Sequence, residues 1–117
     1  MAVVQARTEL ISRVRSAINT VMAGATVMDL PSVVSSDAVA ITAFDESDTR
    51  SSDALTDAFI AQLRSDGWAV DERERTRSEP QFHAAKAGLG GGAFAVRTAA
   101  VSFHGLANHD TEAGPRP

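Results

Sequence analysis

Cysteine is absent from this sequence, and with it go a disulfide framework, a thiolate nucleophile and a thiolate zinc site. The absence leaves the redox compartment open. Tyrosine is missing too, and the aromatic supply is five Phe and one Trp in 117 residues. With 44% hydrophobic content the chain has enough apolar material for one core and too little for two ordinary domains. Alanine dominates that apolar set, so the expected core is small and closely packed. A surface completed by a protein partner, or by copies of the chain itself, is therefore expected.

Excess positive charge is also lacking. The net charge is −4, which argues against gripping nucleic acid through the overall field. No run of like charge forms a basic arm. Lys86 is the only lysine, and the other cations are Arg. Long apolar runs are missing as well, since no window nears the roughly 18 uninterrupted apolar residues of a membrane span. Arg13 and Arg15 precede "AINTVMAGA", which offers an A-x-A at 23–25, but Asn19 and Thr20 interrupt the apolar stretch. A secretory signal is therefore not the expectation, and cytoplasmic residence, of host or source cell, is.

What is present is periodic. Leu10, Ile11, Val14, Ala17, Ile18, Val21 and Met22 recur at three- and four-residue steps, which predicts an amphipathic helix over 3–22. Glu9 and Arg13 form a favourable i,i+4 pair on its other side. Too few cations flank the stripe for a membrane-surface helix, so it is expected to pack on the chain's own sheet. Gly24 is placed to end it as a left-handed cap. Pro31 forbids a central strand nearby and biases Leu30 to an extended backbone, giving a short connector or edge strand over 25–37. The run "AVAITAF" (38–44) reads as a strand buried on both faces. After a polar loop, Ser51, Ser52 or Asp53 can cap a helix over 53–65 with the stripe Leu55, Phe59, Ile60 and Leu63. Asp66-Gly67 closes it.

Trp68 to Thr76 reads as a strand whose second half alternates charge: Asp71, Glu72, Arg73, Glu74, Arg75. Such a strand is expected to run past the core into water or a partner. Pro80 marks a new start. Residues 81–87 and 93–103 then flank a glycine stretch, and the Ala-rich 81–87 is open to strand or helix. Taken as one strand, 93–103 puts Phe94 and Val96 on one face and Val101 and Phe103 on the other, which predicts a bulge or bend near 98–100. The fold class expected is α+β: a two-layer sandwich, with a mostly antiparallel sheet of about four strands and two helices packed on one face. Residues 1–105 are expected to form a single domain, and 106–117 a disordered or docking tail.

The motifs are few. "KAGLGGGAF" (86–94) contains G-L-G-G-G-A, a literal match to the dinucleotide pattern G-x-G-x-x-[G/A]. That pattern works by delivering phosphates to a helix N-terminus, with an acidic residue about 20 positions on. Here a Phe/Val-patterned stretch comes next, and Asp110 lies in the unpatterned tail, so a hairpin connection of four or five residues is the better reading. His83, His104 and His109 lack metal-ligand spacing. If the glycines turn a hairpin, His83 and His104 lie near its open end, with Glu79 or Asp110 close by. That pair is the alternative metal or acid–base site. Asp45, Glu46, Asp48 and Asp53 resemble a calcium loop only in composition, because Arg50 stands where the pattern needs Gly. No G-x-S-x-G positions a serine nucleophile.

Arg73, Arg75 and Arg77 share a strand face on this reading. Interleaved Glu72, Glu74 and Glu79 cancel most of their field, and no aromatic accompanies them for base stacking. A charge-complementary edge for a protein neighbour is the use that remains. The element order is similar to that of small ring-forming completion proteins of phage tails, an analogy of order alone. The function expected is thus a non-enzymatic assembly or interaction module, with Arg73, Glu74, Arg75 and Arg77 as partner contacts. It is expected to use no cofactor and no metal, and to bind neither nucleic acid nor membrane.

Overall fold

The apolar stripe at the start of the chain winds into helix α1 (Val3–Val21), with Leu10, Val14, Ala17 and Ile18 wholly buried along it. Glu9 and Arg13 meet on its exposed side. The structure, a computed structural model, describes residues 3–30, 38–73, 75–76 and 80–107. Pro31, Glu74, Arg77, Glu79, His109, Asp110 and the tail from 108 therefore lie outside the described residues. After α1 come β1 (Thr26–Leu30), β2 (Ala38–Phe44), α2 (Ser52–Ser65), β3 (Ala69–Asp71), β4 (Gln81–Lys86), β5 (Gly90–Arg97) and β6 (Ala100–Ala107).

Helix α2 begins where its sequence says it should. Ser51 is the N-cap, its hydroxyl accepting from the Ala54 N–H at 3.1 Å. Gly67 takes φ 89° past the C-terminus, the left-handed backbone that glycine adopts without steric cost. Gly24 does not play that part for α1, since it lies outside the left-handed region. A Cβ there would stand 3.0 Å from Asp45 Oδ2, so close approach is what that glycine provides. The end of α1 is instead met by Arg50, whose guanidinium donates to the Val21 carbonyl at 2.7 Å. A cation on orphan carbonyls is favourable at this end of a helix.

The strands form one six-stranded antiparallel sheet, ordered β1-β2-β6-β5-β4-β3. Two of the six go beyond the expected four. One is β1, which makes an edge strand of the first part of the 25–37 stretch. The other arises because 93–103 is two strands and not one strand with a bulge or bend. Arg97 pairs with Ala100 across the two residues Thr98 and Ala99, so Val96 opposes Val101 and Phe94 opposes Phe103. The change of phase that suggested a bulge or bend is the reversal of a tight hairpin. Of the two turn residues only Ala99 is left-handed, at φ 62°. Strand β6 continues through Ala107, past the boundary expected at 105.

Residues 81–87 resolve as strand β4 through Lys86. The glycine stretch is mostly strand as well. Lys86 pairs with Gly90 around a turn of Ala87, Gly88 and Leu89, while Gly91 and Gly92 lie within β5. The glycines thus lead into a strand, and no helix N-terminus is offered there. Gly92 and Gly105 face each other across β5 and β6. A Cβ on Gly92 would collide with the His104 carbonyl oxygen and the Gly105 Cα.

Among the described residues the long charged strand is absent. Strand β3 ends at Asp71. The Asp71 carboxylate accepts from the Arg73 N–H at 2.9 Å, and Arg75 N–H donates to the Glu72 carbonyl at 2.9 Å, so the chain turns. Local side-chain acceptors compete with the ladder at such sites. The core centres on Phe94, whose ring lies 4.7 Å from Phe103, 5.1 Å from Phe82, 6.3 Å from Trp68 and 6.4 Å from Phe59. Five of the six aromatics meet in this one cluster, which offsets the scarcity noted in the sequence.

Candidate functional site

Alternation along a strand sends neighbouring residues to opposite faces, and directly paired residues share one. On one face stand Val39, Ile41, Ala43, Phe82, Ala84, Phe94, Val96, Val101 and Phe103, all buried in a single cluster with side chains of α1 and α2. The other face carries a different set. In register across the sheet, Phe44 stands beside Ala100 and Arg97, and the next row is Met28, Thr42, Ser102, Ala95 and Gln81. The third row includes Ala40, His104, Ala93, His83 and Asp71. The fourth is Ala38, Leu106, Gly91, Ala85 and Ala69.

This second face is the candidate site. The three large apolar side chains found exposed in the described residues all belong to it: Met28 (46%), Phe44 (41%) and Leu106 (56%). The expectation that "AVAITAF" is buried on both faces is corrected here. In β2, Val39, Ile41 and Ala43 are buried, whereas Ala38, Ala40 and Thr42 are only partly covered and Phe44 is exposed. An uninterrupted apolar run misled because alanine is small and polarity-neutral, and fits either side of a sheet. Beside Leu106 the face dips into an open hollow of about 550 Å³, lined by Ala69, His83, Ala85, Gly91 and Leu106 among others. Gly91 forms part of its floor, and a Cβ there would stand 2.6 Å from the Ala84 carbonyl oxygen.

Formal charge is confined to the rim. Arg97 ends β5 and Asp71 ends β3, while Thr42, Ser102, Ala95, Ala40 and Ala93 fill the interior and Met28 stands on the edge strand β1. Arg73 binds the Asp71 carboxylate through its Nε at 3.0 Å and is itself 88% exposed. Hydrogen bonds from the Arg73 side chain, then from its backbone N–H, hold the Asp71 pKa down to about 2. Of the residues singled out in the sequence, Arg73 thus stands at the edge of the uncovered face.

Arg75 does something else. Its guanidinium reaches Asp53 at 2.9 Å, Asp57 at 2.7 Å and Glu72 at 3.1 Å, with its own side chain 17% exposed. Burial alone would lower its pKa, but the three carboxylates hold it above the ordinary arginine value. It ties the first turns of α2 to the segment after β3. Arg73 and Arg75 therefore share no strand face, because no strand is there. Other cations are used similarly. Arg15 meets Asp29 of β1 at 3.0 Å, Arg64 meets Glu72 at 3.0 Å, and Lys86 donates to the Asp66 carbonyl at 2.7 Å. In the acidic loop, the Arg50 side chain holds Asp48 below its usual pKa against the opposing effect of burial. Asp45 accepts from Ser47, so these carboxylates already have partners.

His83 and His104 do share the uncovered face, as the hairpin idea required, but they sit on β4 and β6 with Ala93 of β5 between them. Two strand spacings separate their backbones by about 10 Å. Asp71 is the register neighbour of His83. Among the described residues no group of three or more His, Asp or Glu side chains is placed to hold a metal ion. No helix among them is long and apolar enough to cross a membrane.

The sequence signal for this face was present but dispersed. Met28, Thr42, Ser102 and Ala95 come from four separate segments, and only the strand order makes them neighbours. Comparison with known proteins adds no name to the geometry: no family model, no curated protein and no solved structure matches the chain.

Proposed function

We propose that this chain is a non-enzymatic interaction module whose contact surface is the uncovered face of its sheet. The observation that carries this reading is the gathering of Met28, Phe44 and Leu106 on one charge-poor face. A sheet face of small apolar and hydroxyl side chains, with its large apolar residues left in water, gains by being covered. Arg73 and Asp71 contribute at the rim, where charge sets orientation and partner choice more than affinity. Arg75 supports the surface indirectly by fixing the segment after β3. The arrangement the reading requires is a two-layer one, helices on one side of the sheet and a partner on the other.

Hydroxyl-radical oxidation in the native setting tests this. Met28 and Phe44 react readily when exposed, so their oxidation in the undisturbed source extract should fall several-fold below that in the dilute purified chain. Exposed positions on the outer side of α1 should oxidise equally in both. Equal oxidation of Met28 and Phe44 in the two preparations would remove the proposal.

A further inference from the structure

We infer that the occupant of the uncovered face is the same face of a second copy of this chain. The inference deepens the interaction reading above and rests on it. Three properties of the face lead to it.

The first is charge. In a two-fold pairing, charges near the axis meet copies of themselves, and any formal charge caught in the interior must be desolvated. Here the second to fourth rows of the inner strands hold Ala, Ser, Thr, Gly and His with Gln81 and Leu106, and the formal charges Arg97, Asp71 and Arg73 stay at the rim with both signs present. Two copies can meet without burying a formal charge in the centre.

The second is shape. Small residues let two sheets approach to the ~10 Å spacing of stacked sheets or slightly closer. A two-fold axis lying parallel to the strands, between β6 and β5, sets β6 of one copy over β5 of the other. Because Leu106 and Gly91 share a row, this axis brings Leu106 over Gly91 of the second copy, where the hollow of about 550 Å³ receives it. His104 and Ala93 share the next row, so the imidazole lies over a methyl group. Ser102 lies over Ala95, and Ala100 under Arg97, by the same rule. In each row a larger side chain is met by a smaller one, and the relation is reciprocal, as an isologous interface demands.

The third is area. At ~4.8 Å between strands and ~6.7 Å per two residues, six strands and four rows span about 24 by 20 Å of backbone. That is roughly 500 Å² before side chains are added, close to the ~600 Å² per partner at which specific interfaces begin.

Sedimentation velocity on the purified full chain, from low to high micromolar concentration, tests the inference. The expected result is a reversible monomer–dimer equilibrium. Leu106→Arg and Ser102→Arg should each weaken the dimer by about a hundredfold or more, since each places two like charges in a desolvated interface. Ser16→Arg on the outer side of α1 should leave it unchanged. Oxidation of Leu106, which this axis seats over the second copy, provides a variant-free measure in the unmodified chain and should fall as the dimer fills. A chain that stays monomeric throughout, or a dimer indifferent to both face substitutions with Leu106 still reactive, would overturn the inference. If the chain is monomeric yet Met28 and Phe44 are shielded in the source extract, self-pairing fails while the interaction reading stands with a different protein.

Discussion

The two faces of the sheet are built from the same strands, one residue apart, and they have opposite characters. In β6, Val101 and Phe103 are wholly or almost wholly buried, while Ser102 is half-covered and His104 and Leu106 are exposed. In β5, Phe94 and Val96 are buried and Ala93 and Ala95 are not. Charge does not separate the two, since both faces are nearly free of it in their interiors. Side-chain volume does. The large branched and aromatic residues went to the side that α1 and α2 cover, where each one removes the most apolar area from water. The opposite side kept residues that lose little by staying wet, with Met28, Phe44 and Leu106 as the exceptions that point to a use.

The sharpest way to break this comparison is to attack the covered side at its centre. Phe94→Ala removes the ring that Phe59, Trp68, Phe82 and Phe103 all touch, and should cost about 3–5 kcal/mol in a urea titration. A loss near 1 kcal/mol would mean that the cluster is not the organising core. Gly92→Ala tests the close crossing of β5 and β6, where a Cβ meets backbone rather than a yielding side chain. Overpacking of this kind costs about 1–3 kcal/mol, and a neutral result would show that the strands can move apart.

A gain is expected at the turn that joins those strands. Ala99→Gly relieves a left-handed alanine at φ 62° while keeping the carbonyl that accepts from the Asp45 N–H. Thermal unfolding should show stabilisation of up to about 1 kcal/mol, reduced by glycine's greater freedom in the unfolded chain. On the uncovered face, Ser102→Arg should change the stability of the dilute monomer by less than about 0.5 kcal/mol, in contrast to any charge placed one residue away at Val101. A large loss there would mean that the face is part of the core.

The smallest effect lies at the rim. Asp71 should titrate near pH 2 by carboxyl NMR and return toward the usual carboxylate range in Arg73→Gln. Its depressed folded pKa gives a contribution present above the unfolded value near ~3.9 and lost as pH falls toward about 2. A normal titration in the unmodified chain would show that the Arg73 contact is not held in solution.

Much of this was legible in the residues themselves. The three- and four-residue steps of α1, the Ser51 cap and the Gly67 stop of α2 are short-range signals, and the structure obeys them. The hairpin at Thr98-Ala99 was not legible, because it lacks the Asn-Gly or Gly chemistry of two-residue turns and left only a change of phase as its trace. The charged run after Asp71 misled for a related reason. Alternating Glu and Arg satisfy the two-residue period of a strand, yet the Asp71 carboxylate captures the Arg73 N–H and bends the chain away.

The sequence by itself determined the helices, the caps of α2, the single core and the classes of chemistry that a cysteine-free, acidic chain forgoes. These rest on composition and on contacts between residues three or four apart. Only the tertiary structure decided that β6 inserts between β2 and β5, and with it which residues become neighbours. The uncovered face exists because of that order. Met28, Phe44 and Leu106 are scattered over the chain, and pairing between distant strands is a non-local choice made by the whole sheet at once, through burying Phe94 and its neighbours on the other side.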